Sequence, residues 1–319
     1  MSFFKNLNMA PQNSVSNSSV AQTSFKFYSS NTVSLTNQIV AQQQYTIRAP
    51  NSFPMSNLNF QLTVTDTTGS TAPSGVNSIE NTIQSLQIYD KNNTLLASIN
   101  GVYGEFQRWQ RILNPRGVYQ VAPTPSDSEA NTSYTATYNF NFGGWIVDNS
   151  AFPISVVANF NTLSSRASTL NGMTSTAQLN LTGDFVPIQG YVKTLLRTKQ
   201  VSQSSTGIAS LGLQLDNAVI NAISVDVGAD SNLSQNNSIF LAVNNNTLIP
   251  NAPYQQVINN EVLQFGSSYS HINGFFPLHT IYGAPIDGRQ NVAFNLNIAS
   301  NPNGGGLSNT INLYMLEQY

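Results

Sequence analysis

The chain is 319 residues long, enough for one large domain or two of about 160. Forty per cent of its residues are hydrophobic, which excludes a disordered chain, yet Asp, Glu, Lys and Arg together make up only 8%, against about 25% in typical soluble domains. The formal charge of −2 and the absence of cysteine argue against a dedicated nucleic-acid binder and exclude disulfides, thiolate zinc sites and cysteine nucleophiles. The polar surface must be made of Asn, Ser, Thr and Gln. Such a surface hydrogen-bonds well and repels little, which suits packing against copies of itself better than life as a free monomer.

Residues 1–24 read as a Ser/Asn-rich flexible N-terminal arm. Its first turn, with Phe3, Phe4 and Lys5 followed by Leu7 and Met9, has the character of a segment that dips into an apolar surface or lipid interface. No apolar run of signal-peptide length follows Met1, and no stretch approaches the ~18–20 apolar residues of a membrane span. From Ser24 the pattern is of strands. Residues 25–28, 33–35 and 44–47 are short runs of alternating or nearly alternating character, and Leu58, Phe60, Leu62 and Val64 alternate cleanly with Asn59, Gln61 and Thr63.

Ile83, Leu86 and Ile88 predict the next strand, a turn falls at Asp90–Asn93, and Leu95, Leu96 and Ile99 predict its antiparallel partner. Val102, Phe106, Trp109 and Leu113 then recur at helical spacing, with Asn100 as the expected cap and Asn114–Pro115 as the stop. Residues 114–133 contain three prolines and read as a long loop. Further strands are expected at 134–142, at 153–158 and, after a loop from Ser164 to Thr176, at 177–181.

A looser copy of the central stretch begins at Ile220. Ile220, Ile223 and Val225 repeat the spacing of Ile83, Leu86 and Ile88, and both runs lead to an aspartate, Asp226 and Asp90. Ile239–Val243 matches the second strand, and Pro253–Leu263 predicts a short helix with Tyr254, Ile258 and Val262 on one side. Strands at 292–298 and 311–316 complete the second block. A boundary near Gly183–Gly190 divides the chain into 25–184 and 185–319, each with about eight short strands and one helix. Eight antiparallel strands with long, uneven connections fit a jelly roll, and two in tandem make an all-β double jelly roll. An immunoglobulin-like sandwich is smaller and has no mid-domain helix.

Catalytic signatures are missing. His271 and His279 have no HExxH-type partner, and no G-x-S-x-G, G-x-G-x-x-G or Walker sequence occurs. Asp127 with Glu129 reads as a solvated turn rather than an acid/base pair. Asp226 and Asp230 around Gly228 offer oxygens to calcium but lack EF-hand spacing. No enzyme activity, cofactor or metal is expected. Two basic groups stand out. Arg108, Arg111 and Arg116 lie on and after the first helix, with Glu105 placed to pair with Arg108; Lys193, Arg197 and Lys199 lie along one side of a strand.

Tandem β blocks, each with a helix after paired strands, an Asn/Ser/Thr surface and an N-terminal arm together resemble the double jelly-roll major capsid proteins of tailless icosahedral, lipid-containing bacteriophages. The segment Ile83-Gln-Ser-Leu-Gln-Ile-Tyr-Asp and its echo from Ile220 carry that resemblance, which is one of architecture. It implies a homotrimer acting as a pseudo-hexameric capsomer of an icosahedral shell. Lattice neighbours and minor capsid and vertex proteins would be its partners. The arm, through Phe3, Phe4 and Lys5, would reach the internal membrane or an adjacent capsomer. Assembly in the host cytoplasm and no direct sequence-specific nucleic-acid binding are further implications. The rival readings are a virion spike or a host- or carbohydrate-binding β-sandwich.

Overall fold

A computed structural model describes residues 24–29, 32–49, 53–100, 105–113, 122–125, 129–142, 145–185, 194–203, 207–211, 219–227, 238–265, 275–277, 286–287, 289–298 and 309–318. Phe3, Phe4, Lys5, Asp127, Asp230, Arg116, Lys193 and both histidines lie outside the described residues.

The first half supplies two facing sheets. One has the order β1 (Ser24–Ser29), β9 (Thr174–Phe185), β4 (Met55–Thr67), β7 (Ser133–Asn141), with the short β2 (Val33–Ser34) also on β9. The other runs β3 (Ala41–Ile47), β8 (Ile154–Phe160), β5 (Ile83–Tyr89), β6 (Leu95–Asn100). Helix α1 (Glu105–Leu113) connects β6 to β7. Alternation makes these strands two-faced: Leu58, Phe60, Leu62 and Val64 of β4 are buried, while Asn59, Gln61, Thr63 and Thr65 lie on the opposite face. The β5–β6 turn is fixed by Asp90, whose Oδ1 accepts the N–H groups of Asn92 (2.8 Å) and Thr94 (2.7 Å), while Asn93 takes a φ of 60°.

The second half repeats the strand order. β10 (Thr194–Gln203), β18 (Asn309–Gln318), β12 (Val219–Asp226) and β15 (Phe275–Pro277) form one sheet, with β16 (Ile286–Asp287) also on β12. β11 (Gly207–Ser210), β17 (Val292–Ile298), β13 (Ser238–Val243) and β14 (Asn246–Pro253) form the other. Helix α2 (Tyr254–Phe265) follows β14 as α1 follows β6. Reading each pair of sheets as first, last, third, sixth and second, seventh, fourth, fifth strand gives the Greek-key order of a jelly roll twice. The chain is a double jelly roll.

This topology corrects the sequence repeat. The counterpart of β5 is β13, and that of β12 is β4, so setting Ile83–Ile88 against Ile220–Val225 is one strand out of register. The missing piece is β14, which forms a hairpin with β13 around Asn244 and Asn245 (φ 49° and 65°). Two element ends differ in detail. Asn100 closes β6 opposite Ser85 and α1 is described from Glu105, while residues 101–104 between them lie outside the described residues. The strand expected at 177–181 runs from Thr174 to Phe185, because β9 pairs with β4 along nearly its whole length.

The two rolls are not separate beads. β6 and β10 meet in parallel at Leu196 and Ala97, joining one sheet of the first roll to one of the second as a nine-stranded sheet.

Candidate functional site

For a chain without catalytic signatures the informative region is where the two rolls meet, because it sets their relative placement. α1 is the element that builds it. Its sequence Glu-Phe-Gln-Arg-Trp-Gln-Arg-Ile-Leu has apolar groups on one side, but Phe106, Arg108, Trp109, Gln110, Arg111 and Ile112 are all buried. A helix buried around its circumference must have partners on both flanks. On the first-roll side Phe106 packs on Phe140 of β7, ring centroids 4.0 Å apart. On the second-roll side Trp109 meets Tyr314 of β18 edge-on at 5.3 Å, and Phe275 of β15 contacts the same tyrosine at 6.1 Å.

Arg108 forms an ion pair through its Nε with Asp226 Oδ2 at the end of β12, and both side chains are nearly excluded from solvent. The phenol of Tyr314 is pushed far above its usual range, first by burial and then by the carboxylate of Glu105; Arg108 opposes this and Asp226 adds to it. Tyr314 is therefore a neutral packing group. Buried ion pairs of this kind fix geometry more than they add stability, since desolvation offsets much of the attraction. Here the pair ties the helix of one roll to a strand of the other.

The basic residues found in the sequence separate into distinct roles. Arg108 and Arg111 are buried in the junction rather than displayed. Arg197 of β10 reaches the buried Glu317 across the neighbouring strand β18 at 3.2 Å, and Lys199 follows two residues on along the same strand. Asp226, considered above for calcium, is engaged by Arg108. Among the described residues no cluster of three or more His, Asp or Glu side chains is placed to hold a metal. Glu129 lines a cleft of about 240 Å³ with Asp66, Tyr134 and Met173.

A second buried network was not legible in the sequence. Arg166, fully buried, pairs with Asp66 Oδ2 at 2.6 Å and donates to the Asn77 carbonyl at 3.0 Å and to the carbonyl of Ser78, while Ser175 Oγ donates to Asp66 Oδ1 at 2.6 Å. It pins the connection between β4 and β5 against the start of β9. The partners are about a hundred positions apart, so no local spacing signals them.

No protein-family model matches the sequence, and no curated protein matches it. Solved structures do. The STIV major capsid protein, from Sulfolobus Turreted Icosahedral Virus, superposes with a TM-score of 0.59 at 12% identity, over 92% of this chain and 96% of that one. The chain has the fold of double jelly-roll capsid proteins. The PBCV-1 virus capsid protein gives a TM-score of 0.59 at 8% identity over 99% and 97% of the two chains. The major capsid protein of bacteriophage PM2 gives 0.54 at 8% identity over 92% and 97%. This double jelly roll thus matches those proteins along nearly the whole length of both chains, with almost no shared sequence.

Proposed function

We propose that this chain is a structural major capsid protein rather than an enzyme, three copies of which form a pseudo-hexameric capsomer of an icosahedral virion shell. The observation that carries this reading is the junction: α1, with Arg108 and Trp109, holds two jelly rolls side by side as one unit. A trimer of such units presents six similar rolls, and six-fold pseudo-symmetry is what hexagonal packing needs. The uncharged Asn/Thr/Gln faces support close packing of many copies without mutual repulsion. The full-length likeness to capsid proteins supports the same reading.

Several finer features belong to it. The rolls correspond to residues 25–184 and 185–319, and residues 1–24 form an arm directed inward. Phe3, Phe4 and Lys5 meet a lipid surface or a neighbouring capsomer. Minor capsid and vertex proteins are further partners, assembly takes place in the host cytoplasm, and the genome is not bound sequence-specifically.

Light scattering of the purified protein at rising concentration, with electron microscopy of the same sample, tests the reading. The expected result is a stable species of three times 34.6 kDa that goes on to form sheets or shells. A monodisperse monomer at every concentration would overturn it in favour of a spike or host-binding sandwich.

A further inference from the structure

The two described α-helices occupy equivalent places, each between the fifth and sixth strands of its roll, yet they are covered unequally. α1 is buried along most of its surface because β6 and β7 of its own roll and β12, β15 and Tyr314 of β18 in the second roll lie against it. α2 inserts Val257 into the second core, with Ile258 packed at its margin, and turns Gln255, Gln256, Asn259, Leu263 and Gln264 outward. Leu263 is 82% exposed, the most exposed of the large hydrophobic side chains among the described residues. The sheet equivalent to the one that covers α1 is β1–β9–β4–β7. Among the described residues its outer face is part-buried to exposed and carries a cross-strand hydroxyl ladder: Thr63 with Thr137 (3.2 Å), Thr65 with Thr135 (2.8 Å) and Thr67 with Ser133 (3.2 Å).

We infer that α2 of one copy docks on the outer face of the β1–β9–β4–β7 sheet of a second copy, reproducing between chains the contact that α1 makes within one. This names the contact surface of the capsomer and rests on that reading. The internal junction is the template. There, the helix after the fifth strand lies on the third, sixth and eighth strands of the next roll; repeating the same step from the second roll brings α2 to β4, β7 and β9 of another chain. One open surface and its matching open counterpart in every copy generate a closed ring if the rotation is regular.

The chemistry of the two surfaces agrees. Amide side chains on α2, with Gln255 Nε2 already donating to Asn259 Oδ1 at 3.1 Å, meet threonine hydroxyls and asparagines with no like-charge clash. The contact is more polar than the internal one, as expected for surfaces that must remain soluble before they meet. The adjoining edge contributes less. Pro250 and Pro253 remove two N–H donors from β14, so β14 cannot pair extensively with a neighbouring strand.

Cysteine cross-linking tests the contact cleanly, because the chain has no cysteine of its own. Under mild oxidation the double variant Asn259→Cys/Thr65→Cys is expected to move from a monomer band to covalent dimers and trimers on a denaturing, non-reducing gel. Either single variant, and the control Asn295→Cys/Thr65→Cys, should stay monomeric on that gel. Leu263→Asp gives an independent readout: loss of the trimer in light scattering at unchanged Tm, while Ile208→Asp, at the similarly exposed Ile208 (72%) on β11, leaves the trimer intact. A wild-type trimer with no Asn259–Thr65 cross-link, or one indifferent to Leu263→Asp, would overturn the docking alone. A wild type that never oligomerises would overturn the capsomer reading and the docking with it.

Discussion

The two jelly rolls follow one strand order but are filled differently. The first is packed with rings: Phe60 stacks on Phe140 at 4.7 Å, Phe142 meets Phe60 and Trp145 edge-on, and Tyr138 leans on Phe140. The second is filled by aliphatic side chains such as Ile220, Ile223, Leu241, Leu296 and Leu313, with Phe294 the only aromatic residue in its buried cluster as described. The first core also extends into the junction, taking in Ala222, Phe275 and Tyr314 from the second half. One topology therefore tolerates two kinds of interior, because a sheet sandwich asks for inward apolar side chains of the right total volume, not for particular ones. The ring-filled roll gains orientation-dependent contacts, and it is the roll whose helix must sit accurately against a neighbour.

Truncation at the two centres is the strongest way to break this comparison. Phe140→Ala should cost about 3–5 kcal/mol and Leu296→Ala about 2–5 kcal/mol, both measured by urea denaturation. Because Phe106 of α1 rests on Phe140, only the first is expected to raise hydrogen exchange in α1. Equal exchange in both variants would mean that the junction does not depend on the aromatic core.

The rolls also differ in how they place ion pairs. Arg166→Met leaves Asp66 charged and buried, at a cost of about 3–5 kcal/mol, and adding Asp66→Asn should recover part of that loss. Denaturation midpoints of the single and double variants check this, and a double variant no better than the single would contradict it. A milder change at the junction, Asp226→Asn, keeps the shape but removes the charge facing Arg108, and is expected to cost about 1–3 kcal/mol. Calorimetry should show whether the single transition then splits in two. If it stays single at the wild-type Tm, Arg108 is not anchoring the rolls.

The smallest effect belongs to the exposed pair of the second roll. Arg289, hydrogen-bonded to Asp287 through its side chain and its backbone N–H, holds the Asp287 carboxyl at a pKa of about 2, below its ordinary 3.8. Since the folded value is the lower one, this contribution is complete above about pH 4 and is lost as the pH falls through about 2. An NMR titration of the Asp287 carboxyl checks the value. Arg289→Gln should return it towards 3.8 with little change in stability at neutral pH.

Much of the fold could be read from the chain because period-2 alternation survives wherever one sheet face is polar, as in β4 and β7. It failed at β12. Ala222, Ser224 and Asp226 on its outer face are buried under α1, and a register shift between Ile220 and Ala222 gives its inward residues Ile220, Ile223 and Val225 the spacing that the shift between Ile83 and Ser85 gives β5, so the two strands matched by accident. β14 was missed because Pro250, Pro253 and six exposed positions among its eight residues leave little hydrophobic pattern. Trp109 was correctly read as a buried helix-face residue. Glu105 could be placed near Arg108 by local spacing, which is all a sequence offers; Asp226, which pairs with Arg108, is brought near only by the completed topology.

The register of β1 has a consequence for how the molecule comes into being. Ser24 lies opposite Phe185, so the strand that closes the first sandwich is synthesised long after the one it joins. Until then β1 has no partner, and β4, whose two neighbours are β7 and β9, waits for both of its own. Such long-range pairing is slow because the intervening chain must be ordered before contacts repay the entropy. A sequence with 8% charged residues offers little repulsion to keep half-made chains apart in that interval. Yield on refolding should therefore fall steeply with protein concentration, and the same low-charge surface that lets finished subunits assemble makes unfinished ones prone to aggregate.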